Sequence, residues 1–371
     1  MLRRRVTSLL CLFLLCLLAI PCAYGAEAET ERGVALDTLM DALPHQTQSV
    51  LEDSDIASGD ISAGFASLLE QGKGQIQRLF RQALGGGAAL LLIVLLCDGA
   101  QLLYFKEKDS KLLQCTAMTG ALAIVLLSAG SIDQMIGLGV ETIHTMNDFS
   151  KTLLPLMGAA CAASGGVTAA AVREAATSLF ADLLITCIDT LLVPLVYIYI
   201  GAITANAVLH QHSLEAIAAA IRKVITWALT ILLTAFTAYL TISGAVSGTA
   251  DAAALKAAKF AISGTVPVVG GILSDAASTI LVGASILKNA IGVFGTLAVF
   301  ALCLTPFLQI GMQYLMYKVT AFLAELVDET GLSRFMSEIG GAFGMILGMT
   351  GACALLLIIS MITSISAVMP V

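Results

Sequence analysis

Apolar residues dominate the chain from about residue 84 to its last residues, in successive runs of roughly 20 residues. None of these runs alternates apolar and polar residues with period two, which is the pattern of a transmembrane β-strand. Inside a bilayer, only helices and closed barrels satisfy all of their backbone hydrogen-bonding groups. The pattern therefore predicts an all-α, polytopic membrane protein with about eight spans, or seven if one run is re-entrant.

The runs predict spans at about 85–105, 112–131, 152–171, 180–203, 224–246, 264–286, 289–312 and 341–366. The third run contains Pro155 and a glycine pair, so it either crosses the membrane or is re-entrant. A crossing fits the cytoplasmic bias of lysine and arginine better. This topology places Lys106–Lys111 in the cytoplasm and His210–Lys223 outside it.

The first 25 residues have the layout of a cleavable secretory signal peptide. Arginines at positions 3 to 5 precede a short apolar run, Val6–Ile20, and small residues follow. An uncleaved anchor is the alternative. Cleavage near residue 26 divides the chain into a signal peptide (1–25), an acidic extracytoplasmic segment (26–83) and a polytopic membrane domain (84–371).

The segment 26–83 carries most of the chain's net charge of −7. Its first part, 27–57, is polar and is expected to be loose. From Ile61 onward, apolar residues recur at helical spacing, which predicts an amphipathic helix that leads into the first span. This helix either lies in the membrane interface or packs on the extracytoplasmic ends of the spans.

Composition excludes several classes of protein. The chain is 58% hydrophobic and 12% charged, with a mean hydropathy of +0.93, which is far from the average of soluble domains. Its nine cysteines lack the CxxC or Cys/His spacing of a metal site or disulfide framework. The motifs HExxH and GxSG and a nucleotide-binding P-loop are missing from the sequence, so we expect neither an enzyme nor a cofactor.

The stretch Ser263–Gly271 interrupts an apolar run with residues that break helices. It contains Pro267, Gly270 and Gly271. Irregular backbone at membrane depth is tolerated only where protein or a water-filled cavity satisfies its polar groups. The stretch therefore predicts an interior position, and its small residues either line a pore or allow close packing of helices.

Four ionisable residues are further candidates for the interior or a pore. Asp275 follows the break, and Lys288, at the start of the next predicted span, could pair with it. Asp182 and Asp189 lie seven residues apart and share one helical face. Ionisable residues inside a membrane usually face the bundle interior or water. For each carboxylate, a hydrogen-bonded contact between helices is the alternative to a pore position.

Two stretches of the chain are similar to one another. Ser164–Leu179 and Ser263–Ile280 both place a glycine-broken stretch before a helix of small and charged residues. With three predicted crossings between their starts, the copies would have opposite orientations, as in the inverted repeats of many transporters. A shared bias toward small residues is the other explanation of the match.

Three stretches carry a resemblance to a known family: LLPLMGAACAASGGVTAAA (153–171), AKFAISGTVPVVGGILSDA (258–276) and LKNAIGVFGTLAVFALCLTPFLQI (287–310). They resemble the stage III sporulation protein AE family of endospore-forming Firmicutes, and the similarity covers most of residues 60–371. The acidic stretch 27–57 matches nothing in that pattern.

The resemblance implies a subunit of the complex that joins the mother cell to the engulfed forespore, in the mother-cell membrane that surrounds the forespore. The implied partners are the lipid bilayer and other proteins of the same operon, which form rings and an ATPase, together with a forespore protein that docks from the opposite membrane. No nucleic-acid partner is expected. The implied role is that of a channel or export-gate-like subunit required for late forespore gene expression, and a stand-alone secondary transporter of small solutes is the alternative.

Overall fold

The computed structural model describes residues 34–52, 61–104, 110–164, 167–209, 212–265, 270–327 and 331–366. Within these ranges the chain is helical apart from short turns, and none of the described residues forms a strand. The prediction of an all-α protein is confirmed for this part of the chain. The predicted signal peptide, 1–25, lies outside the described residues.

The helices follow one another in this order: α1 (34–41), α2 (His45–Glu52), α3 (Ile61–Tyr104), α4 (Ser110–Ala163), α5 (Val167–Cys187), a π-helix (Ile188–Leu192), α6 (Val193–Leu209), α7 (His212–Thr265), α8 (Gly270–Glu325) and α9 (Leu332–Ser366). Helices α5 and α6 and the π-helix between them follow one another without a turn. Pro194 lies just after the π-helix and cannot bond the carbonyl of Thr190, which accounts for a local departure from α-helical bonding.

Six stretches of the described helices are long and apolar enough to cross a membrane: Gly74–Ala100, Cys115–Ala163, Glu174–Leu209, Ser213–Ile242, Ala284–Glu325 and Leu332–Ile362. The chain is thus a multi-pass membrane protein by its helices. The predicted count of about eight spans is not confirmed.

Two of the predicted turns between spans are wrong. Helix α4 is continuous over 54 residues, and α8 over 56 residues. No turn separates the predicted spans 112–131 and 152–171, or the predicted spans 264–286 and 289–312. At about 1.5 Å per residue these helices are roughly 80 Å long, far more than the roughly 30 Å core of a bilayer.

The reason is visible in the segment of α4 that was expected to be a loop. Its apolar residues recur at helical spacing and are buried in the core: Ile132, Met135, Ile136, Ile143, Met146 and Phe149. Its charged residues occupy the opposite, exposed face of the same helix. Burial of one apolar face stabilises the helix, although the other face has the composition of a loop.

Contacts between helix ends fix the direction of each helix. A Cβ placed on Gly120, near the start of α4, would lie 2.5 Å from Leu332 of α9 and 2.9 Å from Cys97 of α3. Two residues beyond Leu332, Arg334 pairs with Glu215 at the start of α7. The end of α3 and the starts of α4, α7 and α9 therefore lie at the same end of the bundle, which we call the proximal end. The described parts of the two segments, from residue 110 and from residue 212, lie at the same end of the bundle, which argues against the prediction that Lys106–Lys111 and His210–Lys223 lie on opposite sides. Residues 106–109, 210 and 211 themselves lie outside the described part of the structure.

Helices α8 and α9 form an antiparallel pair in the centre of the bundle. In the most apolar 18 residues of each, 61% of the residues are buried, compared with 22% for the corresponding stretch of α7. Glycines of α9 allow the close approach, because a Cβ on Gly340 would lie 3.2 Å from Tyr317 and one on Gly344 3.1 Å from Tyr314. The rings of Tyr317 and Phe343 pack with their centroids 5.1 Å apart.

The two similar stretches have the same orientation in this fold. Helices α5 and α8, which follow them, both start at the distal end of the bundle and run toward the proximal end. At the distal end Thr177 of α5 shares a hydrogen bond of 2.7 Å with Ser360 of α9, and the antiparallel packing of α9 on α8 directs this end of α9 toward the start of α8. The prediction of an inverted repeat is therefore wrong, since two traverses rather than three separate the stretches.

Part of the acidic segment is ordered against the bundle. In α1, α2 and the turn between them, Leu39, Leu43 and Leu51 are buried in the common core. The amide of Gln48 donates to the carbonyls of Met40 and Leu43, both at 2.9 Å, and so closes the turn. The expectation of a loose segment over 27–57 is wrong for these residues. An apolar side chain at every third or fourth position gives a short helix one apolar face, which is enough for it to pack on the bundle.

Candidate functional site

A row of polar side chains runs along the exposed face of α4. Its members recur every three to eight residues and are Asp133, Glu141, His144, Asp148 and Lys151. Residues 115–163 of α4 are all described, and none of the large hydrophobic residues between 128 and 163 is exposed. Closer to the proximal end the same helix exposes Leu122, Leu126 and Leu127. The exposed surface of α4 thus changes from apolar to polar near residue 128.

The neighbouring α5, π-helix and α6 carry polar residues opposite this row. The hydroxyl of Tyr197 donates to Asp133 at 3.3 Å, and His144 Nε2 lies 3.2 Å from Asp189 Oδ2. Asp182 is close enough to Lys151 to interact with it electrostatically. We call the five α4 residues, together with Asp182, Asp189 and Tyr197, the polar seam. It combines five carboxylates with one lysine and one histidine, so its potential favours cations.

The π-helix positions Asp189 within the seam. Single turns of π-helix widen a helix locally and are frequent at functional sites. Ile188 and Leu192 of this turn are buried, while Asp189 between them is directed outward. The side chains of His144 and Asp189 keep 48% and 36% of their surface exposed, so their pair remains accessible from outside the bundle.

A second polar group, the charged cluster, lies at the proximal end. It comprises Glu215, Arg222, Lys318, Arg334 and Glu338 from α7, α8 and α9. The guanidinium of Arg334 bonds to Glu215 and lies 3.7 Å from the Glu338 carboxylate. Lys318 Nζ donates to the backbone oxygen and the hydroxyl of Ser337, at 2.9 and 2.8 Å. The cluster therefore links three helices through charge-assisted hydrogen bonds.

Helix α6 joins the charged cluster through Tyr199. Its hydroxyl donates to the Glu338 carbonyl at 3.0 Å. A Cβ on Gly341 would lie 3.1 Å from this hydroxyl and 3.7 Å from Arg222. Glycine at this position lets α9 approach both α6 and α7, so the cluster is a junction between helices, although Arg222 and Arg334 remain exposed at its surface.

The predicted site residues fall in three different places. Asp182 and Asp189 belong to the polar seam. Ser263 lies in the last turns of α7, and Gly270, Gly271 and Asp275 lie at the start of α8. The side chains of those four residues lie outside the described part of the structure, as does Pro267 altogether. Their role as hinge or pore residues stays a prediction.

The predicted pairing of Asp275 with Lys288 is wrong. Both residues lie on the continuous helix α8, and their 13-residue separation corresponds to about 20 Å along the helix axis. That distance exceeds the combined reach of the two side chains. Lys288 is buried, with 1% of its surface exposed, so it lies in the packed interior of the bundle.

Sequence reasoning missed most of the polar seam. The predicted spans 112–131 and 152–171 leave Asp133, Glu141 and Asp148 in a loop between them, because their charges end an apolar run. The signal that identifies them is their spacing, since the buried apolar residues between them keep the helical period. The charged cluster had no comparable signal, because its members come from three helices that are far apart in the sequence.

Among the described residues, no three histidine, cysteine, aspartate or glutamate side chains are grouped so that they could hold a metal ion. The five carboxylates of the polar seam are exposed and are arranged along the helices rather than around one point, so the seam has the chemistry of a hydrated, acidic surface.

Comparison with known proteins identifies the family. The sequence model of the family described as stage III sporulation protein AE matches residues 46–368. The chain belongs to this family. The match includes both the polar seam and the charged cluster, so both groups lie within the family's own domain.

A curated relative, the stage III sporulation protein AE of Bacillus subtilis (strain 168), is 25% identical over 250 residues. The alignment covers 67% of this chain and 63% of that relative. The chain thus matches somewhat less than two thirds of the relative's length. No solved structure matches the chain.

Proposed function

We propose that this chain is a channel or export-gate-like subunit of the sporulation complex that links mother cell and forespore. In this proposal it resides in the mother-cell membrane around the forespore and is needed for late forespore gene expression. The family supports a role in sporulation. The fold supports a multi-pass membrane component.

The observation that carries the proposal is the exposed polar seam. It lies within two of the helices that are apolar enough to cross a membrane, Cys115–Ala163 and Glu174–Leu209. Ionisable side chains inside a membrane protein are costly unless they face water or a polar partner. A seam of five exposed carboxylates therefore indicates a surface that borders an aqueous path, formed together with other subunits.

The alternative, a stand-alone secondary transporter, has less support. Such transporters commonly build their substrate site at the interface of inverted repeats, near the bilayer midplane. The two similar stretches of this chain have the same orientation, and the polar seam lies on the outside of the bundle. An outer polar surface is a feature of a subunit that is completed by partners.

Replacing seam residues tests the proposal. A variant with Glu141→Leu, Asp148→Leu and Asp182→Leu should insert and accumulate normally, because all three side chains are exposed. It should fail to support late forespore gene expression, since an aqueous path would lose its polar wall. Reporter activity and heat-resistant spore counts are measured in sporulating cells that carry the variant as their only copy.

The matched control also replaces three exposed polar residues with leucine, but on a different helix. Thr230, Thr234 and Thr237 of α7 are exposed and donate their hydroxyls to their own helix. Their replacement by leucine should leave spore counts unchanged. Normal sporulation in the seam variant, or an equal defect in the α7 variant at equal protein level, would contradict the proposal.

The partners are tested separately. Affinity purification of the intact protein from sporulating cells should recover ring-forming membrane proteins and an ATPase of the same operon. A protein that is recovered alone, but that still moves solutes in vesicles, would favour the stand-alone transporter instead.

A further inference from the structure

A cavity of ≈ 260 Å³ lies between α3, α4 and α8, away from the charged cluster. Five of its lining residues are uncharged and polar: Gln82, Ser131, Gln134, Gln309 and Gln313. The remaining residues, Leu79, Ala83, Met135 and Met312, are apolar. None of the lining residues is ionisable. Four of the twelve glutamines in the chain thus converge on one site.

The polar lining continues a row of polar residues on α8. Thr305, Gln309, Gln313 and Tyr317 follow one another at intervals of four residues, which places them on one face of the helix. Thr305 donates to the side-chain carbonyl of Gln75 on α3 at 3.2 Å. Tyr317 donates to Ser128 of α4 at 2.6 Å, in the buried interior. The cavity lies between these two hydrogen bonds.

The amides of the cavity have unused hydrogen-bonding capacity. Within the described part of the protein, none of the four glutamine side chains donates or accepts a hydrogen bond. Each primary amide offers two N–H donors and one carbonyl acceptor. In a packed helical bundle, polar groups without protein partners are satisfied by water or by a ligand.

The cavity has a polar entrance. Gln82 and Gln134 are exposed, whereas Gln309 and Gln313 lie deeper and are half-buried. Arg81 and Asp133, the sequence neighbours of the two outer glutamines, are exposed charged residues. Exposed charges on the same turns of α3 and α4 indicate that this level of the bundle borders water, because exposure of both to hydrocarbon would be costly.

We propose that this cavity is a binding site for small uncharged solutes that carry amide or hydroxyl groups. Four amides can donate and accept at the same time, which matches a ligand with both kinds of group. A charged ligand would lose its hydration without an ionised partner inside the cavity, so it is disfavoured. The volume is slightly smaller than that of drug-sized pockets and equals that of about nine liquid water molecules, which indicates a solute of at most about ten non-hydrogen atoms. This site can bind whether or not the complex conducts.

Protection from alkylation tests the proposal on the purified full chain. Gln313→Cys and, separately, Gln134→Cys are introduced after the native cysteines have been replaced by alanine. Each reacts with uncharged N-ethylmaleimide in the presence of acetamide, acetate or guanidinium, three probes of similar size. Acetamide at twice its dissociation constant should slow the reaction about threefold, whereas the two ions should leave the rate unchanged.

Leu315→Cys is the matched control. Leu315 lies two residues from Gln313 on α8, is 50% exposed and does not line the cavity. None of the probes should alter its alkylation rate. In a second arm, Gln309→Glu adds a charge without changing size and should transfer protection from acetamide to guanidinium.

Two results would overturn the proposal. One is the absence of protection by acetamide at both cysteine positions, which would leave the cavity as a site for water alone. The other is equal protection by acetamide and by the two ions. Neither result depends on sporulation or on conduction, so the test is independent of the proposed channel function.

Discussion

The charged cluster and the polar seam both place ionisable side chains in an otherwise apolar bundle, but their surroundings differ. In the cluster, charges from three helices meet each other at a packed junction where Gly341 allows close approach. In the seam, the charges lie along the outer face of α4 and make few contacts across to α5 and α6. The cluster joins helices together, whereas the seam leaves its carboxylates accessible. We therefore expect the cluster to contribute mainly to stability and the seam mainly to function.

The largest expected effect distinguishes the packed face of α4 from its exposed face, which carries the seam. A Cβ on Gly139 would lie 2.4 Å from Ile346, whereas one on Gly137 would meet nothing within 4 Å. Gly139→Val should destabilise the protein by about 1–3 kcal/mol through overpacking against α9. Gly137→Val, on the exposed face, should be tolerated. Thermal unfolding of the two purified variants gives the answer, and equal losses would mean that the seam side is packed as well.

A smaller effect is expected from the charged cluster. Arg334→Gln removes the cation that lies between Glu215 and Glu338, and two carboxylates then face each other without it. Because the group is partly exposed, the expected loss is about 1 kcal/mol, between that of surface and buried pairs. The change in melting temperature of the purified protein measures it, and Arg334→Lys should restore part of the loss.

Lys151→Gln in the seam is the control for the melting-temperature measurement on the Arg334 variants. Lys151 pairs with Asp148 on the same helix at 2.8 Å, and both side chains are largely exposed. Its replacement should leave the melting temperature unchanged. If Lys151→Gln cost as much as Arg334→Gln, the distinction between cluster and seam would be wrong.

The smallest expected effect is no difference at all. The end of α3 and the start of α7 lie at the same end of the bundle, so cysteines placed at positions 108 and 212 should react alike with an impermeant thiol reagent. Intact cells and inverted membrane vesicles are compared. Labelling of the two positions from opposite sides would contradict the single crossing of α4.

How far the sequence predicts this protein depends on the level of structure. The apolar content and its period sufficed to predict an all-helical membrane protein. In lipid, only helices and closed barrels satisfy the backbone hydrogen-bonding groups, and the period excludes a barrel. Family membership also followed from local stretches such as 258–276, which a family match over 46–368 confirms. The number of crossings did not follow, because charges on one face of α4 interrupt the hydropathy of a helix whose other face is buried.

The sites were harder to predict than the fold class. Asp182 and Asp189 could be singled out from their common face, but their neighbours His144 and Lys151 come from a helix that precedes them by several turns. The predicted pair of Asp275 and Lys288 failed because it assumed a turn where α8 continues. The polar row from Thr305 to Tyr317 was readable as a period of four, although its partners on α3 and α4 were not.

By itself, the sequence determined that the chain is helical, that it crosses membranes and that it belongs to a sporulation family. These properties depend on the composition and period of single segments, which local physics controls. Only the tertiary structure decided which charges face one another and which glutamines share a cavity. Those groups lie on helices separated by up to roughly 230 residues, as Gln75 and Thr305 are, and only the packing of the helices brings them together.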